Sequence, residues 1–340
     1  MRAASESRAA PAAFVAVQDL VKTYPIARTG LVVRSVDGIS LAIARGEVLG
    51  LVGETGCGKS TLARLLVGLT QPDRGTIRID GVDHAGLGGR ALKAMRRTVQ
   101  FIFQDPFEAL DPRMRIRRSL EAPLEAHGLG DAGVRLQRIN AMLLEVGLDA
   151  GFLDRLPREC SGGQLQRIVI ARALLLEPRF LICDEPTSAL DASMRAQILN
   201  LLADLKRRFM LTLLVISHDL RVVNFISDRI AVMYLGQIVE VARRDDLFER
   251  PRHPYTQALI AAAMLGRPGQ HPAVSTLRGE PPSPLRPPSG CRFHERCPHA
   301  QPICAREMPE LVDAGDDRWT RCHRWHELAG ADQLVQSLKR

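Results

Sequence analysis

The chain has 340 residues, of which 46% are hydrophobic and 25% are charged, so it can bury a large core and is not an intrinsically disordered protein. Its longest apolar stretches, such as residues 211–216 and 259–265, are far shorter than the roughly 20 residues that a membrane-spanning helix requires, and we expect no such helix. The net charge of +8 and the pI near 9.4 would suit a nucleic-acid binder or a protein near an anionic bilayer, but the arginines are scattered, so charge decides little.

Composition and pattern divide the chain into four parts. Residues 1–13 contain two arginines and many alanines but no continuous apolar block of the secretory type, so we interpret them as a disordered leader and expect no export. We expect a main α/β domain at residues 14–250, an extension at 251–328 and a tail at 329–340. Within the main domain, residues from about 106 to 160 show helical apolar spacing, which predicts a helical subdomain.

A glycine-rich loop between a predicted strand and a predicted helix is the first motif that carries chemistry. The apolar run at residues 48–52 predicts a buried strand, and apolar residues at helical spacing follow the loop. The loop consists of Gly53, Glu54, Thr55, Gly56, Cys57, Gly58, Lys59, Ser60 and Thr61. Its glycines allow backbone N–H groups to face phosphate oxygens, and the following helix adds the positive end of its dipole. We therefore predict a P-loop, and a chance glycine-rich turn is the weaker alternative.

Three side chains of this loop have predicted roles. Lys59 would contact the β- and γ-phosphates of a nucleotide, the Ser60 hydroxyl would ligate Mg²⁺, and Thr61 would hydrogen-bond the α-phosphate. The loop thus predicts ATP and Mg²⁺ as ligands.

Two carboxylates and a histidine follow later apolar runs. Residues 180–183 predict a buried parallel strand that ends in Asp184 and Glu185, and residues 213–216 predict another that precedes His218. Since the carboxyl ends of parallel strands open onto a ligand crevice, we expect Asp184 to hold Mg²⁺. Glu185, pointing the other way on an extended backbone, would orient and deprotonate the attacking water. The alternative is a solvated Asp-Glu turn.

The order of these motifs resembles the ABC ATPase family over about residues 14–250. The motifs are the P-loop, Gln104 after an apolar run, Ser161, Gly162, Gly163 and Gln164, then Asp184 and Glu185, then Ser188 to Asp191, and His218. The segment 161–164 is the most telling, because it opens a predicted helix and so provides a second anion-binding helix start. The resemblance implies an α/β P-loop NTPase with a parallel sheet core, an antiparallel β subdomain and a helical subdomain, followed here by a small cysteine-containing extension.

Roles for further residues follow from the resemblance. Two such domains are expected to pack head to tail, so that each ATP lies between one P-loop and the other chain's segment 161–164. Gln104 would sense Mg²⁺ and the water while contacting the membrane partner. His218 would hydrogen-bond the γ-phosphate, and Asp191 is counted with the nucleotide-binding residues. Tyr24 would stack on adenine, and its alternative is an aromatic ring packed in the core.

Two departures from the family pattern are mild. Cys160 stands where the family usually has leucine, and Thr55 stands where serine is common.

The helical subdomain, with helices predicted at 116–126 and 135–146, is expected to receive a coupling helix of a membrane partner.

The extension resembles that of the oligopeptide and dipeptide branch of ABC importers. The features are His253-Pro254-Tyr255, a proline-rich stretch at residues 281–288 that cannot form helix or central strand, and the run from Gly290 to Pro298. The pattern Tyr234-Leu235-Gly236 in the main domain also agrees with the pattern of this branch. The resemblance therefore narrows the expected branch to peptide-type importers.

Four cysteines, Cys291, Cys297, Cys304 and Cys322, lie in the extension. Four thiolates in a reducing compartment suit either Zn²⁺ or an iron–sulfur cluster, and their spacing does not fit the paired Cys-x-x-Cys of zinc ribbons. Because the branch includes members that carry a cluster, we favour a [4Fe–4S] cluster over zinc or unligated thiols.

These patterns predict an ATP-hydrolysing subunit, peripheral on the cytoplasmic face of the cell membrane, that energises uptake of di- or oligopeptides. The expected partners are two transmembrane permease subunits, a second ABC ATPase subunit and an extracytoplasmic solute-binding protein. Nickel, opines or sugars are alternative cargoes. A non-transport ABC ATPase acting on nucleic acid or the ribosome is a weaker alternative, because the chain has one P-loop and no heptad run.

Overall fold

The computed structural model describes residues 13–26, 29–84, 86–264 and 279–328. The predicted leader, except for Ala13, and the predicted tail at 329–340 lie outside the described residues. The strands are β1 (Ala13–Pro25), β2 (Val32–Ala44), β3 (Val48–Val52), β4 (Arg74–Ile79), β5 (Val82–Asp83), β6 (Val99–Ile102), β7 (Phe180–Asp184), β8 (Thr212–Ser217), β9 (Arg229–Tyr234), β10 (Gln237–Arg243), β11 (Val312–Gly315) and β12 (Arg318–Thr320).

The α-helices are α1 (Lys59–Leu66), α2 (Gly89–Thr98), α3 (Ile116–Ala126), α4 (Ala132–Glu145), α5 (Gly162–Leu174), α6 (Ala192–Phe209), α7 (Leu220–Ile226), α8 (Arg244–Glu249), α9 (Pro254–Met264), α10 (Pro302–Arg306) and α11 (Trp325–Leu328). Among the described residues, no helix combines the length and the apolar character needed to cross a bilayer.

The larger sheet has the order β11-β12-β10-β9-β3-β8-β7-β6, and β9, β3, β8, β7 and β6 run parallel. Every residue of β3, β7 and β8 is buried, as expected of parallel strands that are covered by helices on both faces. The continuous apolar runs in the sequence predicted these strands for this reason. The sheet thus places the ends of four adjacent parallel strands, β3, β8, β7 and β6, along one edge.

A smaller antiparallel sheet has the order β2-β1-β4-β5. Its inward side chains, among them Val15, Val17 and Ile39, share one hydrophobic core with α1 and with residues of β3 and β8. The antiparallel sheet therefore packs on the face of the parallel core that carries the P-loop helix. Parallel core, antiparallel sheet and helical segment together agree with the predicted fold class.

The helical segment contains α3 and α4, which pack on α5 through Leu120, Leu143 and Ile168. Helix α4 begins at Ala132, three residues earlier than predicted, because the Asp131 carboxylate accepts a hydrogen bond from the N–H of Val134 and caps the helix. This segment stands between Gln104 and the start of α5.

The C-terminal residues extend the main sheet. Residues 279–290 form neither helix nor strand, as their prolines predicted. Farther on, β12 pairs antiparallel with β10, and β11 pairs with β12. Arg318 of β12 is fully buried and forms an ion pair of 2.6 Å with Asp246 of α8. The extension is therefore built onto the sheet that carries the P-loop.

Candidate functional site

Four adjacent strand ends bring the predicted site residues together. The P-loop follows β3, His218 lies one residue after β8, Asp184 ends β7, and Gln104 lies two residues after β6. Because these strands are parallel neighbours, their carboxyl ends meet at one edge of the sheet, as in other open α/β folds that bind ligands. Segments that are far apart in sequence thus meet at one edge of the sheet.

The P-loop has the backbone that its glycines predicted. Gly56 and Gly58 have positive φ angles of 80° and 110°, and a Cβ atom at Gly58 would overlap the carbonyl oxygen of Ser35. The loop leads into α1, which begins at Lys59. Lys59 is 6% exposed, and its ammonium donates to the carbonyl oxygens of Gly53 at 2.7 Å and Glu54 at 3.0 Å. The single positive charge of the loop therefore lies inside its curve.

Ser60 and Asp184 provide adjacent oxygen atoms in a cleft of about 480 Å³, which Gln104 also lines. Burial raises the pKa of the Asp184 carboxyl, the hydrogen bond from Ser60 opposes this, and the neighbouring Glu185 carboxylate adds to it. A hydroxyl, a carboxylate and an amide oxygen are hard ligands of the kind that Mg²⁺ prefers. The predicted magnesium ligands therefore fit the ion in type and in location.

Glu185 contacts both other predicted catalytic residues. Its Oε1 lies 2.9 Å from Nδ1 of His218, and its Oε2 accepts a hydrogen bond of 3.3 Å from Nε2 of Gln104. A carboxylate has about four acceptor positions, so these two contacts leave capacity for a water molecule.

The backbone at Glu185 differs from the prediction. We expected an extended strand that points Glu185 away from Asp184, but its φ angle is 48°, in the left-handed region. The strand ends at Asp184, and the Glu185 N–H donates to the carbonyl of Ile216 on the neighbouring β8. The turn at this residue, rather than strand alternation, places the Glu185 carboxylate against His218.

Tyr24 lies at the exposed end of β1, and its ring is not part of the core. The residue is 36% exposed and pairs with Val33 of β2. Two residues later on β2, the hydroxyl of Ser35 lies 3.3 Å from that of Thr61 in the P-loop helix. The structure thus places Tyr24 on the flank of the P-loop, and the core-packed alternative is not observed.

The segment 161–164 forms a capped helix start. Ser161 Oγ accepts from the N–H of Gln164, and the Gln164 side chain accepts from the N–H of Ser161. Among the described residues that line the cleft with Ser60, none belongs to this segment. The described lining of the cleft at Ser60, Asp184 and Gln104 is thus made without segment 161–164.

Asp191 has a local structural contact. Its Oδ1 accepts from the N–H groups of Ser193 and Met194, each at 2.9 Å, and caps α6. A Cβ at Gly163 would overlap the Met194 side chain. Segment 161–164 and Asp191 are thus packed together through Met194.

Tyr255 and Arg296 of the extension contact the P-loop, Arg292 contacts the neighbouring turn between β9 and β10, and none of these roles was predicted from the sequence. The Tyr255 hydroxyl accepts a hydrogen bond of 3.0 Å from the Glu54 N–H, and the Arg296 guanidinium makes two bonds of 2.9 Å with the Glu54 carboxylate. Arg292 donates to the carbonyl of Leu235 and pairs with Asp37. The His-Pro-Tyr motif drew attention to Tyr255, but no local pattern marks the arginines.

The four cysteines of the extension line one small cavity of about 20 Å³, together with His253, His294, His299 and His323. Burial raises the pKa of the Cys291, Cys297 and Cys322 thiols to about 11, and the other thiols nearby add to the shift. Within the described residues, no group of three or more His, Cys, Asp or Glu side chains is arranged to hold a metal ion. The thiols therefore match a soft metal site in kind and number but do not form a preorganised one.

Sequence comparisons agree with this architecture. Residues 36–188 match the family described as ABC transporter, and residues 239–304 match the oligopeptide/dipeptide transporter C-terminal region. The chain is 44% identical to the oligopeptide transport ATP-binding protein AppF of Bacillus subtilis, with 90% of this chain and 96% of that protein covered. It is 48% identical to the oligopeptide transport ATP-binding protein OppF of Salmonella typhimurium, with 82% and 84% covered.

Solved structures with this fold include a dimeric post-hydrolysis state of the ATP-binding cassette MJ0796, bound to ADP and Pi. That structure has a TM-score of 0.62 and 30% identity, and the match covers 68% of this chain and 98% of that one. The chain cbiO1 from Clostridium perfringens, part of an ABC transporter complex, has a TM-score of 0.61 and 26% identity, with 69% and 90% covered. On its sequence relatives and its fold, the chain belongs to the ATP-binding proteins of the ABC transporter family, in the group that carries the oligopeptide/dipeptide transporter C-terminal region.

Proposed function

We propose that this chain hydrolyses ATP to drive the uptake of di- or oligopeptides through an ABC importer, as a peripheral subunit on the cytoplasmic face of the membrane. The main support for ATP hydrolysis is the position of Glu185. Its carboxylate contacts Gln104 and His218, and it follows Asp184, which is hydrogen-bonded to Ser60. A general base, its two partners and a magnesium ligand thus meet at one edge of the sheet.

Each residue has a role in this hydrolysis. The P-loop N–H groups and Lys59 would bind the phosphates, and Ser60, Asp184 and Gln104 would hold Mg²⁺, which would supply positive charge to the phosphates. Glu185 accepts a proton from the water whose oxygen forms a bond to the γ-phosphorus, and ADP departs with the electrons of the broken bond. His218 hydrogen-bonds the γ-phosphate, and the ring of Tyr24 stacks on the adenine.

A second ATPase subunit completes the site. Segment 161–164 presents a helix start, which favours an anion, but the described lining of this chain's own cleft does not include it. We infer that Ser161, Gly162 and Gly163 face the ATP of a partner chain, with Gln164 and Asp191 supporting that surface. The dimeric state described for MJ0796 supports this arrangement.

Apolar side chains beside Gln104 support docking of a permease. Phe103 and Phe107 are 45% and 51% exposed, and Phe103 lines the same cleft as Gln104. Exposed aromatic rings are typical of a protein-binding surface. We infer that a coupling helix of one of two transmembrane permeases binds at Phe103 and Phe107, next to Gln104, which would contact Mg²⁺ and the attacking water. An extracytoplasmic solute-binding protein would deliver the cargo to those permeases.

Peptide cargo is supported by the relatives named for oligopeptide transport and by the match of residues 239–304. The test is transport in membrane vesicles that contain this chain, a second ATPase subunit, the two permeases and the solute-binding protein. We expect uptake of labelled oligopeptides that requires ATP and is lost with Glu185→Gln. Uptake of nickel, an opine or a sugar in place of peptides would contradict the cargo, and recovery of the native protein with nucleic acid or ribosomes instead of permeases would contradict transport itself.

We also propose that Cys291, Cys297, Cys304 and Cys322 ligate a [4Fe–4S] cluster. The support is that all four side chains line one cavity, and four thiolates are the required number. A cavity of about 20 Å³ holds little more than one water molecule, so the cysteine segments must separate to admit a cluster. Iron and sulfide analysis of anaerobically purified protein tests this: about four of each per chain is expected, whereas zinc or no metal would contradict the cluster.

A further inference from the structure

Side chains of the C-terminal extension contact the P-loop at Glu54 and contact the turn between β9 and β10 that supports it. We propose that Tyr255, Arg292 and Arg296, which we call the P-loop clamp, are positioning residues that set the ATP affinity of the P-loop. The clamp acts on the ATP site and therefore rests on the proposed ATPase function. It makes the extension a working part of that site.

The first contact point is Glu54, the second residue of the P-loop. Each polar group of Glu54 is bound: its N–H donates to the Tyr255 hydroxyl at 3.0 Å, its carboxylate accepts two hydrogen bonds of 2.9 Å from Arg296, and its carbonyl accepts from the Lys59 ammonium at 3.0 Å. Two of these three partners come from the extension. Tyr255 and Arg296 thus fix Glu54, whose carbonyl accepts from the phosphate-binding lysine.

The charge of Glu54 gives Arg296 a second effect. A free carboxylate in a phosphate-binding loop would repel the triphosphate, and in a largely buried pair this repulsion is weakly screened by salt. The side chains of Arg296 and Glu54 are 5% and 20% exposed. A bidentate guanidinium matches the two carboxylate oxygens and neutralises them in a fixed geometry. Arg296 therefore lets the loop carry an acid without weakening anion binding.

The second contact point is the turn between β9 and β10. The Gly236 N–H donates to the carbonyl of Cys57 in the P-loop at 2.8 Å, and the Gly236 carbonyl accepts from the Asp37 N–H at 2.9 Å. Arg292 donates to the carbonyl of Leu235, the first residue of this turn, and pairs with the Asp37 carboxylate. Arg292 thus secures the turn that supports the middle of the P-loop.

The two arginines lie on one short segment of the extension. Arg292 follows Cys291 and Arg296 precedes Cys297, and both cysteines line the cavity described above. Phe293 anchors this segment, because its buried ring packs against Tyr234 and Tyr255 at 5.4 Å between ring centroids. This segment thus brings Arg296 to the P-loop and Arg292 to the turn that supports it.

An arginine that only stabilises the extension and one that positions the P-loop have different kinetic effects. Loss of stability lowers the fraction of active protein, which reduces the apparent kcat and leaves the KM for ATP unchanged. Loss of positioning weakens ATP binding, which raises the KM and leaves kcat at saturating ATP nearly unchanged. The two parameters therefore separate the two roles.

The experiment measures MgATP affinity and steady-state hydrolysis of the full-length chain. We expect Arg296→Gln to raise the Kd and the KM for ATP about tenfold, a free-energy loss of about 1.4 kcal/mol, with kcat within about twofold of wild type. Tyr255→Phe keeps the packed ring but removes the hydroxyl, and it should raise both constants about threefold to tenfold. Arg306→Gln, on an exposed arginine of the same extension, is the matched control and should leave them unchanged.

A double-mutant cycle tests the charge argument. Because Glu54→Gln removes the carboxylate, the double variant of Glu54→Gln with Arg296→Gln should bind MgATP at least about threefold more tightly than Arg296→Gln alone. Additive losses would overturn the electrostatic role of Arg296. If Arg296→Gln does not fold, Arg296→Lys retains the charge without the bidentate geometry, and an unchanged KM in both Arg296→Lys and Tyr255→Phe would overturn the clamp.

Failure of the clamp and failure of the proposed function give different results. A wild-type chain that does not bind MgATP contradicts the ATPase function. A wild-type chain that binds MgATP, together with an Arg296→Gln variant that binds it equally well, contradicts the clamp alone.

Discussion

The imidazole Nδ1 of His218 lies 2.9 Å from Oε1 of Glu185, across the ends of the neighbouring strands β8 and β7. The contact depends on the left-handed backbone at Glu185, which turns its carboxylate toward β8. Gln104 occupies the other oxygen of the same carboxylate. Glu185 is therefore the residue that contacts the other two predicted catalytic side chains.

Glu185→Gln should retain ATP binding and lower the hydrolysis rate by at least about 100-fold, because an amide cannot accept the proton of the attacking water. Phosphate release measures turnover, and size-exclusion chromatography in MgATP should show a stable dimer. Asp204→Asn, on the exposed surface of α6, is the control. Hydrolysis by Glu185→Gln at the wild-type rate would show that another group is the base.

Lys59→Ala should lose most nucleotide binding, since the loop then has no ammonium to contact the phosphates. The expected loss is about 100-fold in ATP affinity, as for a buried charge-assisted interaction of about 3 kcal/mol. Fluorescence titration with an ATP analogue measures this loss. Lys93→Ala, an exposed lysine of α2, should bind like wild type, and unchanged affinity in Lys59→Ala would contradict the P-loop assignment.

Tyr24→Ala should weaken ATP binding by about 1–3 kcal/mol if the exposed ring stacks on adenine. Tyr24→Phe retains the aromatic face and should bind nearly as well as wild type. Inorganic triphosphate has no base, so Tyr24→Ala and wild type should bind it with the same affinity in the same titration. Equal losses for ATP and for triphosphate would place the defect at the phosphates and contradict stacking.

Arg318→Met should destabilise the protein, because the buried guanidinium forms an ion pair of 2.6 Å with Asp246 and a hydrogen bond of 3.2 Å with the Arg250 carbonyl. Breaking a buried pair costs about 3–5 kcal/mol, and we expect about 2 kcal/mol here, since Asp246 retains Arg250 and is partly exposed. Urea unfolding gives the change in midpoint. A midpoint equal to that of Arg306→Gln would contradict this role.

Acid should destabilise the protein in part through His84. Burial lowers the pKa of His84, a hydrogen bond to the Leu66 backbone partly opposes this, and Nδ1 is buried with no partner among the described residues. As the pH falls below about 6.5, the unfolded chain binds a proton that the folded protein does not, so stability is full above this pH and declines below it. His84→Gln should flatten the decline in urea midpoint between pH 7.5 and 5.5. If the urea midpoints of wild type and His84→Gln decline in parallel as the pH falls, His84 does not contribute to the acid sensitivity.

The strands and the P-loop could be predicted because their signals are local. A continuous apolar run specifies each buried parallel strand, and glycines at 56 and 58 mark the tight turn between β3 and α1. The relative placement of Asp184 and His218 followed from the rule that parallel strands end at one edge of the sheet.

The backbone of Glu185 and the contacts of Arg296 could not be predicted from these signals. The left-handed turn at Glu185 depends on a hydrogen bond to Ile216, which belongs to another strand. Arg296 reaches Glu54 across 242 positions of sequence, and no periodicity relates them. Such contacts are set by tertiary packing, which a local pattern does not contain.

The hairpin of β11 and β12 was also absent from the predictions. Residues 312–315 are mostly exposed and carry no alternating apolar pattern. The turn instead has Asp316 and Asp317, both with a φ angle of 56°, which suits a tight hairpin connection.

The pairing of β12 with β10 has a consequence for synthesis on the ribosome. A nascent chain that has emerged only through β10 contains the P-loop, Glu185 and His218, but the outer edge of its sheet is still open to pairing with other chains. Arg296 and β12 emerge later, so the same late segment closes the edge and completes the support of the P-loop. Translation that stops before this segment would yield an aggregation-prone chain with a P-loop that lacks its support.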